Sequence, residues 1–190
     1  TVDERSLSQI EKQLDSPVLA NFYEQVLQEN LTFDDSAQPD LICISIPFAG
    51  TFLPALYTAR FIKNHCKNNV FVTFGGGFVN TQLRETSEKS FSKYIDAFSF
   101  DRGYGSYIEL KNNFSKIKEA SAKDSLIQPL YKLQLFFNDK TIPPLWNNEK
   151  ISQIEDQLTA QTVPDFDCID FSIYPRVCDD LNPMHRIWND

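Results

Sequence analysis

Residues 39–80 constrain the fold more than any other stretch. PDLICISIPFAGTFLPALYTARFIKNHCKNNVFVTFGGGFVN holds two apolar runs with one helical repeat between them. Residues 41–46 and 70–74 are almost continuously apolar and partly β-branched, the pattern of strands covered on both faces. Between them Phe52, Leu53, Leu56, Ala59, Phe61, Ile62 and Cys66 recur at helical spacing, while Arg60, Lys63 and Lys67 fall mostly elsewhere on the wheel. Strand, helix, strand at this length is a βαβ unit with a right-handed crossover. In sheets of such units ligands collect beyond the carboxyl ends of the strands, so residues 45–51 and 75–80 both open onto the expected binding edge.

The flanking chain extends this pattern. Residues 4–30 carry a helical stripe of Leu7, Ile10, Leu14, Val18, Phe22, Val26 and Leu27, which Ser16-Pro17 divides into two helices. After the glycines come a short helix within 81–91, a third strand at 95–100 and a helix at about 104–119 that turns Tyr107, Ile108, Leu110, Phe114 and Ile117 inward. Residues 126–145 read as a β-hairpin whose pairing ends at Pro143-Pro144, and 149–158 as a short polar helix. The expected fold class is α/β: a Rossmann-like, flavodoxin-like three-layer sandwich with a mainly parallel sheet. No strand is legible before residue 41, so that sheet is expected to be incomplete. The organisation reads as an N-terminal helical segment (1–38), a Rossmann-like core (39–125), a hairpin extension (126–148) and an irregular arm (149–190) with aromatic anchors Phe166, Phe171, Tyr174 and Trp188.

With 190 residues, of which 42% are hydrophobic and 13% aromatic, the chain has enough apolar surface for a proper core. Its net charge of -8 is concentrated at the ends: nine acids face Arg5 and Lys12 in residues 1–40, and eight face Arg176 and Arg186 in 151–190. The middle is mildly basic but has no arginine-aromatic stripe, so nucleic acid is not an expected partner. No apolar run reaches the roughly 20 residues that span a bilayer, so no membrane partner is expected either. Cys43, Cys66, Cys168 and Cys178 form no CxxC pair; Cys43 and Cys66 fall on apolar faces and read as buried thiols, which suits a reducing cytoplasm.

Gly75, Gly76 and Gly77 follow a strand directly, where missing side chains let backbone or ligand approach and positive φ costs little. They read equally as an anchor for an acceptor-rich group and as a tight βα turn. The run is neither GxGxxG nor a P-loop. Ser45, with Ile46 and Pro47 behind it, sets a hydroxyl at the same edge, although a serine there also serves as a turn residue. Gly50 and Thr51 precede the first crossover helix, with Thr51 as its expected N-cap. Asp101, Gly103 and Tyr104 stand at the end of the third strand; Asp101 is placed to accept a ribose hydroxyl, to pair with Arg102 or to cap the next helix. His65 reads as a residue near a helix C-terminus, and no spacing suggests a metal site or a catalytic triad.

Taken in order, PDLICISIPFAGTFLPALYTARFIK, VFVTFGGGFVN and IDAFSFDRGYGSYIEL resemble the cobalamin (vitamin B12)-binding domain of B12-dependent radical SAM proteins. TVPDFDCIDFSIYP followed by NPMHRIWND resembles the connector into the radical SAM barrel. The resemblance implies that Ser45 matches the serine of a Ser-x-Leu element beside the dimethylbenzimidazole tail, with Pro47 in place of the leucine. It implies that Gly75, Gly76 and Gly77 match the Gly-Gly element that gives the tail room, and that residues 101–105 match an acidic turn whose acids are missing here. The Asp-x-His-x-x-Gly motif is also missing, which implies a His-off mode, and so is the CxxxCxxC of the iron-sulfur cluster. The expectation is therefore a fragment that is not catalytic by itself: it binds cobalamin and is covalently linked to a radical SAM domain. A 4Fe-4S cluster and S-adenosylmethionine would belong to that missing downstream domain, and the full-length protein would be a B12-dependent radical SAM enzyme, with methyl transfer among its reactions. The alternative is a degenerate Rossmann-like docking domain that has lost the ligand, with Tyr104 and Phe78 filling the slot. A flavin- or nucleotide-binding domain ranks below both. If the sheet is incomplete, its apolar edge would make the fragment prone to homodimerise.

Overall fold

The two apolar runs become neighbouring parallel strands. In the computed structural model, which describes residues 7–31, 38–66, 69–123, 127–137, 139–163, 165 and 167, β1 (Leu41–Ser45) pairs in parallel with β2 (Phe71–Gly75), and β2 with β3 (Ala97–Ser99). β4 (Leu133–Phe137) runs antiparallel to β3, and β5 (Lys140–Ile142) antiparallel to β4. The five strands stand in chain order, forming an open α/β sheet with a parallel half and a hairpin half. The helices are α1 (Leu7–Leu14), α2 (Pro17–Asn30), α3 (Phe52–His65), α4 (Gly77–Gln82), α5 (Tyr104–Lys123) and α6 (Glu149–Gln161), with 3₁₀ turns at Ala49–Thr51 and Lys89–Lys93. The chain divides into two compact units, Thr1–Asp156 and Gln157–Asp190, and the sheet belongs to the first.

Period-two alternation sorts the strand residues onto two faces. Val72, Phe74, Phe98 and Phe136 face one way and pack with α1, α3, α4 and Phe91; Phe71, Ala97, Leu133, Leu135 and Phe137 face the other and pack with Leu110 and Ile117 of α5. This gives the three layers of a Rossmann-like sandwich. Phenylalanine rings fill the first face: Phe91 lies 5.1 Å from Phe98 and 5.7 Å from Phe136, and Phe98 lies 4.9 Å from Phe136. Such edge and tilted contacts suit the ring quadrupole and fix each side chain against several others.

Four expectations change. The hairpin is an integral part of the sheet, because Leu133, Leu135 and Phe137 need the cover that α5 provides. β1 is not covered on both faces. It is the sheet's edge, with Cys43 and Ser45 exposed, because an apolar run reads alike in a central strand and in an edge strand whose second face is only partly covered. Cys43 is accordingly exposed and Cys66 half-buried, where the apolar pattern predicts buried thiols. In α2 the expected inward stripe points out: Val18 is 78% and Phe22 60% exposed, while Ala20, Tyr23 and Leu31 pack on the core. The break at Ser16-Pro17 re-phases the wheel, so α1 buries Leu7, Ile10 and Leu14 but its stripe does not continue. All of the connector motif except Thr162, Val163, Asp165 and Asp167 lies outside the described residues, as do the anchors Phe166, Phe171, Tyr174 and Trp188 and Cys168, Cys178 and His185.

Replacing Phe91 with Ala is expected to lower stability by about 3–5 kcal/mol. A urea titration checks this: the midpoint should fall with the slope unchanged.

Candidate functional site

The carboxyl ends of β1 and β2 meet with Ser45 directly opposite Gly75. Beyond them the two exits are tied together, since Ile46 N–H donates to Gly75 O at 2.7 Å and Phe78 N–H donates to Ile46 O at 3.0 Å. Gly76 adopts φ +97, and a Cβ there would lie 2.7 Å from Ile46 O; a Cβ on Gly77 would lie 2.7 Å from Pro47 O. Two of the three glycines are therefore required by the turn itself. Gly75 differs: a Cβ on it would meet Ser99 O at 3.3 Å and Tyr107 Oη at 3.8 Å, on the α5 face.

That face ends in a cluster of hydroxyls. Ser99 and Ser106 share a buried hydrogen bond of 2.6 Å, and Ser106 Oγ donates to Gly103 O at 3.0 Å. The Tyr107 hydroxyl lies against Cys43 and Ser99, and burial together with the neighbouring thiol raises the phenol above its ordinary range. Thr73, which pairs with Cys43 one step down the strands, has a buried hydroxyl with no partner among the described residues. Gly103, at φ +84, is needed because a Cβ would come within 3.1 Å of the Tyr107 ring. Tyr107 is thus the ring beside Gly75, whereas Phe78 is buried in the opposite core 5.0 Å from Phe52. Tyr104 opens α5 and is half-buried. Pro47 and Gly50 are exposed on the segment that follows Ser45, and Thr51 occupies the N-cap position of α3 but sends its hydroxyl back to Phe48 O at 2.7 Å.

Asp101 belongs to a second, charged cluster. Its partners are Arg84 at 2.7 Å and Lys132 at 3.0 Å, and neither Arg102 nor a helix cap is among them. Lys132 also meets Glu155 of α6 at 2.6 Å, and Glu155 accepts hydrogen bonds from Tyr131 Oη and Gly105 N–H. Gly105 allows this approach, since a Cβ would lie 2.6 Å from the Tyr131 ring. Burial opposes the Asp101 charge, but the bonds from Arg84 and Lys132 outweigh it and hold its carboxyl below the usual range. Burial also opposes the charge of Lys132, and Glu155, Tyr131 and Asp101 reverse the balance. Asp101 (φ 60) and Lys132 (φ 53) both adopt left-handed backbone to make these contacts. Arg84, Lys132 and Glu155 are separated by up to 71 positions, and no local pattern announces them. Tyr107 is legible in the sequence only as an inward residue of α5.

His65 lies exposed at the end of α3, its Nδ1 2.9 Å from Phe61 O, as its position near a helix C-terminus predicts. Among the described residues no three His, Cys, Asp or Glu side chains are grouped to hold a metal ion, and no helix is long and apolar enough to cross a membrane. Compared with known proteins, the chain matches no family model, no curated protein and no solved structure.

Gly76→Ala is expected to cost about 2–3 kcal/mol, since it adds positive-φ strain and a backbone clash; chemical denaturation reads the loss. Asp101→Asn tests the ion cluster by pH. A carboxylate held down in the folded state adds stability above its unfolded pKa of about 4 and loses it as pH falls through the folded value. The variant should be less stable than the parent at pH 7, with the gap closing as pH falls from about 4 towards 2.

Proposed function

We propose that this chain is the cobalamin-binding accessory domain of a B12-dependent radical SAM enzyme, acting in the cytoplasm. One observation carries the reading: the exposed Ser45 hydroxyl stands in register with Gly75 at the carboxyl ends of adjacent parallel strands, where α/β sheets take their ligands. The surrounding chemistry suits the nucleotide tail of cobalamin. Ser45 offers an exposed hydroxyl, Thr73 has a hydroxyl without a partner among the described residues, and Asp101 is turned to Arg84 and Lys132. Ser45 and Gly75 would hold the tail, with the exposed Pro47 and Gly50 on the segment that follows β1. Bound cobalamin supplies a cobalt centre that accepts and releases alkyl groups. The chain's own part is to bind and orient it towards a covalently linked radical SAM domain, which would bring the 4Fe-4S cluster and S-adenosylmethionine.

A second reading is favoured by a different observation. Tyr107 lies beside Gly75 with its hydroxyl against Cys43 and Ser99, as in a domain that keeps the fold for docking and no longer takes the ligand.

Hydroxocobalamin titrated into the chain separates the two. Under the first reading the visible spectrum shifts saturably, Gly75→Val abolishes the shift and Tyr107→Ala tightens binding. If neither the parent nor Tyr107→Ala changes the spectrum while both remain folded by circular dichroism, cobalamin binding is overturned and the docking reading stands.

A further inference from the structure

A groove of about 660 Å³ lies apart from the glycine turn, between residues 84–89 and the end of the hairpin. This is within the range of small-molecule sites, about 300–1,000 Å³. Its walls are held in place. Gln134 Nε2 donates to Thr86 O at 2.7 Å, joining β4 to the segment after α4. Arg84 is fastened to Asp101 at 2.7 Å, and its guanidinium lies 4.2 Å from the centroid of the Trp146 ring. Trp146 is still 44% exposed, and Pro143 and Pro144 continue the apolar surface. The polar groups are few. Thr141 lines the groove and has a buried hydroxyl without a partner among the described residues. Lys89 is an exposed cation on the rim, and Glu85 an exposed carboxylate on the same rim.

From this arrangement we infer that the groove is a binding site for an aromatic monocarboxylate, a planar ring bearing a single negative charge. Arg84 and Phe100 pack against the indole, and its remaining exposed surface with the two prolines supplies an apolar bed on which a flat ring gains dispersion contacts. Asp101 already answers Arg84, so Lys89 is the cation left for the ligand, and the remaining guanidinium N–H groups of Arg84 add hydrogen-bond donors. Glu85 repels a second negative charge, which selects a monoanion over a phosphate monoester or a dicarboxylate. Thr141 brings a hydroxyl whose hydrogen-bonding capacity is otherwise unused.

The test uses Trp146 as its own reporter, in the chain carrying Trp188→Phe so that the indole in the groove is the emitting tryptophan. Benzoate, benzamide, phthalate and inorganic phosphate are titrated separately. Benzoate is expected to change the emission saturably, with benzamide and phthalate each at least about fivefold weaker and phosphate without effect. Lys89→Gln should weaken benzoate about fivefold and leave benzamide unchanged. The inference is overturned if benzoate gives no saturable change, if benzamide binds as well as benzoate, or if Lys89→Gln leaves benzoate binding as it was. Lys89 is exposed, so its variant keeps the fold, and circular dichroism verifies that. Because none of these ligands resembles cobalamin, the result is independent of the glycine turn.

Discussion

The candidate edge depends on one close approach, that of the Gly76 backbone to Ile46. With φ +97 and only 2.7 Å between a would-be Cβ and Ile46 O, no other residue fits there. Ile46 then both donates to Gly75 and accepts from Phe78, so the exit of β1 and the start of α4 are clamped by the same peptide groups. That clamp seats Phe78 in the core against Phe52 and leaves Ser45 exposed opposite Gly75. A turn with side chains would push the two exits apart and lose the edge.

Two polar clusters of different character flank the clamp. On the α5 face are hydroxyls and a thiol around Tyr107, with one orphaned hydroxyl at Thr73. At the end of β3 charges alternate along Arg84, Asp101, Lys132 and Glu155, and this chain fastens α6 to the sheet. The second cluster is structural in kind: each charge has an answering partner, and the most buried of them, Glu155, is held by Lys132, Tyr131 and the Gly105 N–H together. The first keeps unused hydrogen-bonding capacity, which is what a binding surface needs. The proposed function rests on Ser45 opposite Gly75 at the edge of this cluster, and its rival reading on Tyr107 beside Gly75.

What could be read ahead of the structure was what local pattern encodes. The βαβ unit, the third strand and the hairpin are present within a few residues of their expected bounds, because apolar periodicity and turn residues act over short distances. The buried face of α1 was legible for the same reason. Its continuation into α2 was not, because Ser16-Pro17 restarts the helix with a new phase and leaves Val18 and Phe22 outside. The exposure of Cys43 was hidden too, since whether an apolar strand is central or marginal depends on what lies beside it.

The sequence by itself determined that this chain builds an α/β sheet, and it put Ser45 and the three glycines at the carboxyl ends of consecutive strands. Only the tertiary structure decided that Gly76 and Gly77 are consumed by the turn while Gly75 opens onto hydroxyls, that Tyr107 is the ring beside it, and that Asp101 turns to Arg84 and Lys132. The physical reason is range: periodicity and φ preference act between near neighbours, whereas partners such as Asp101, Lys132 and Glu155 meet only once the sheet and its helices have packed.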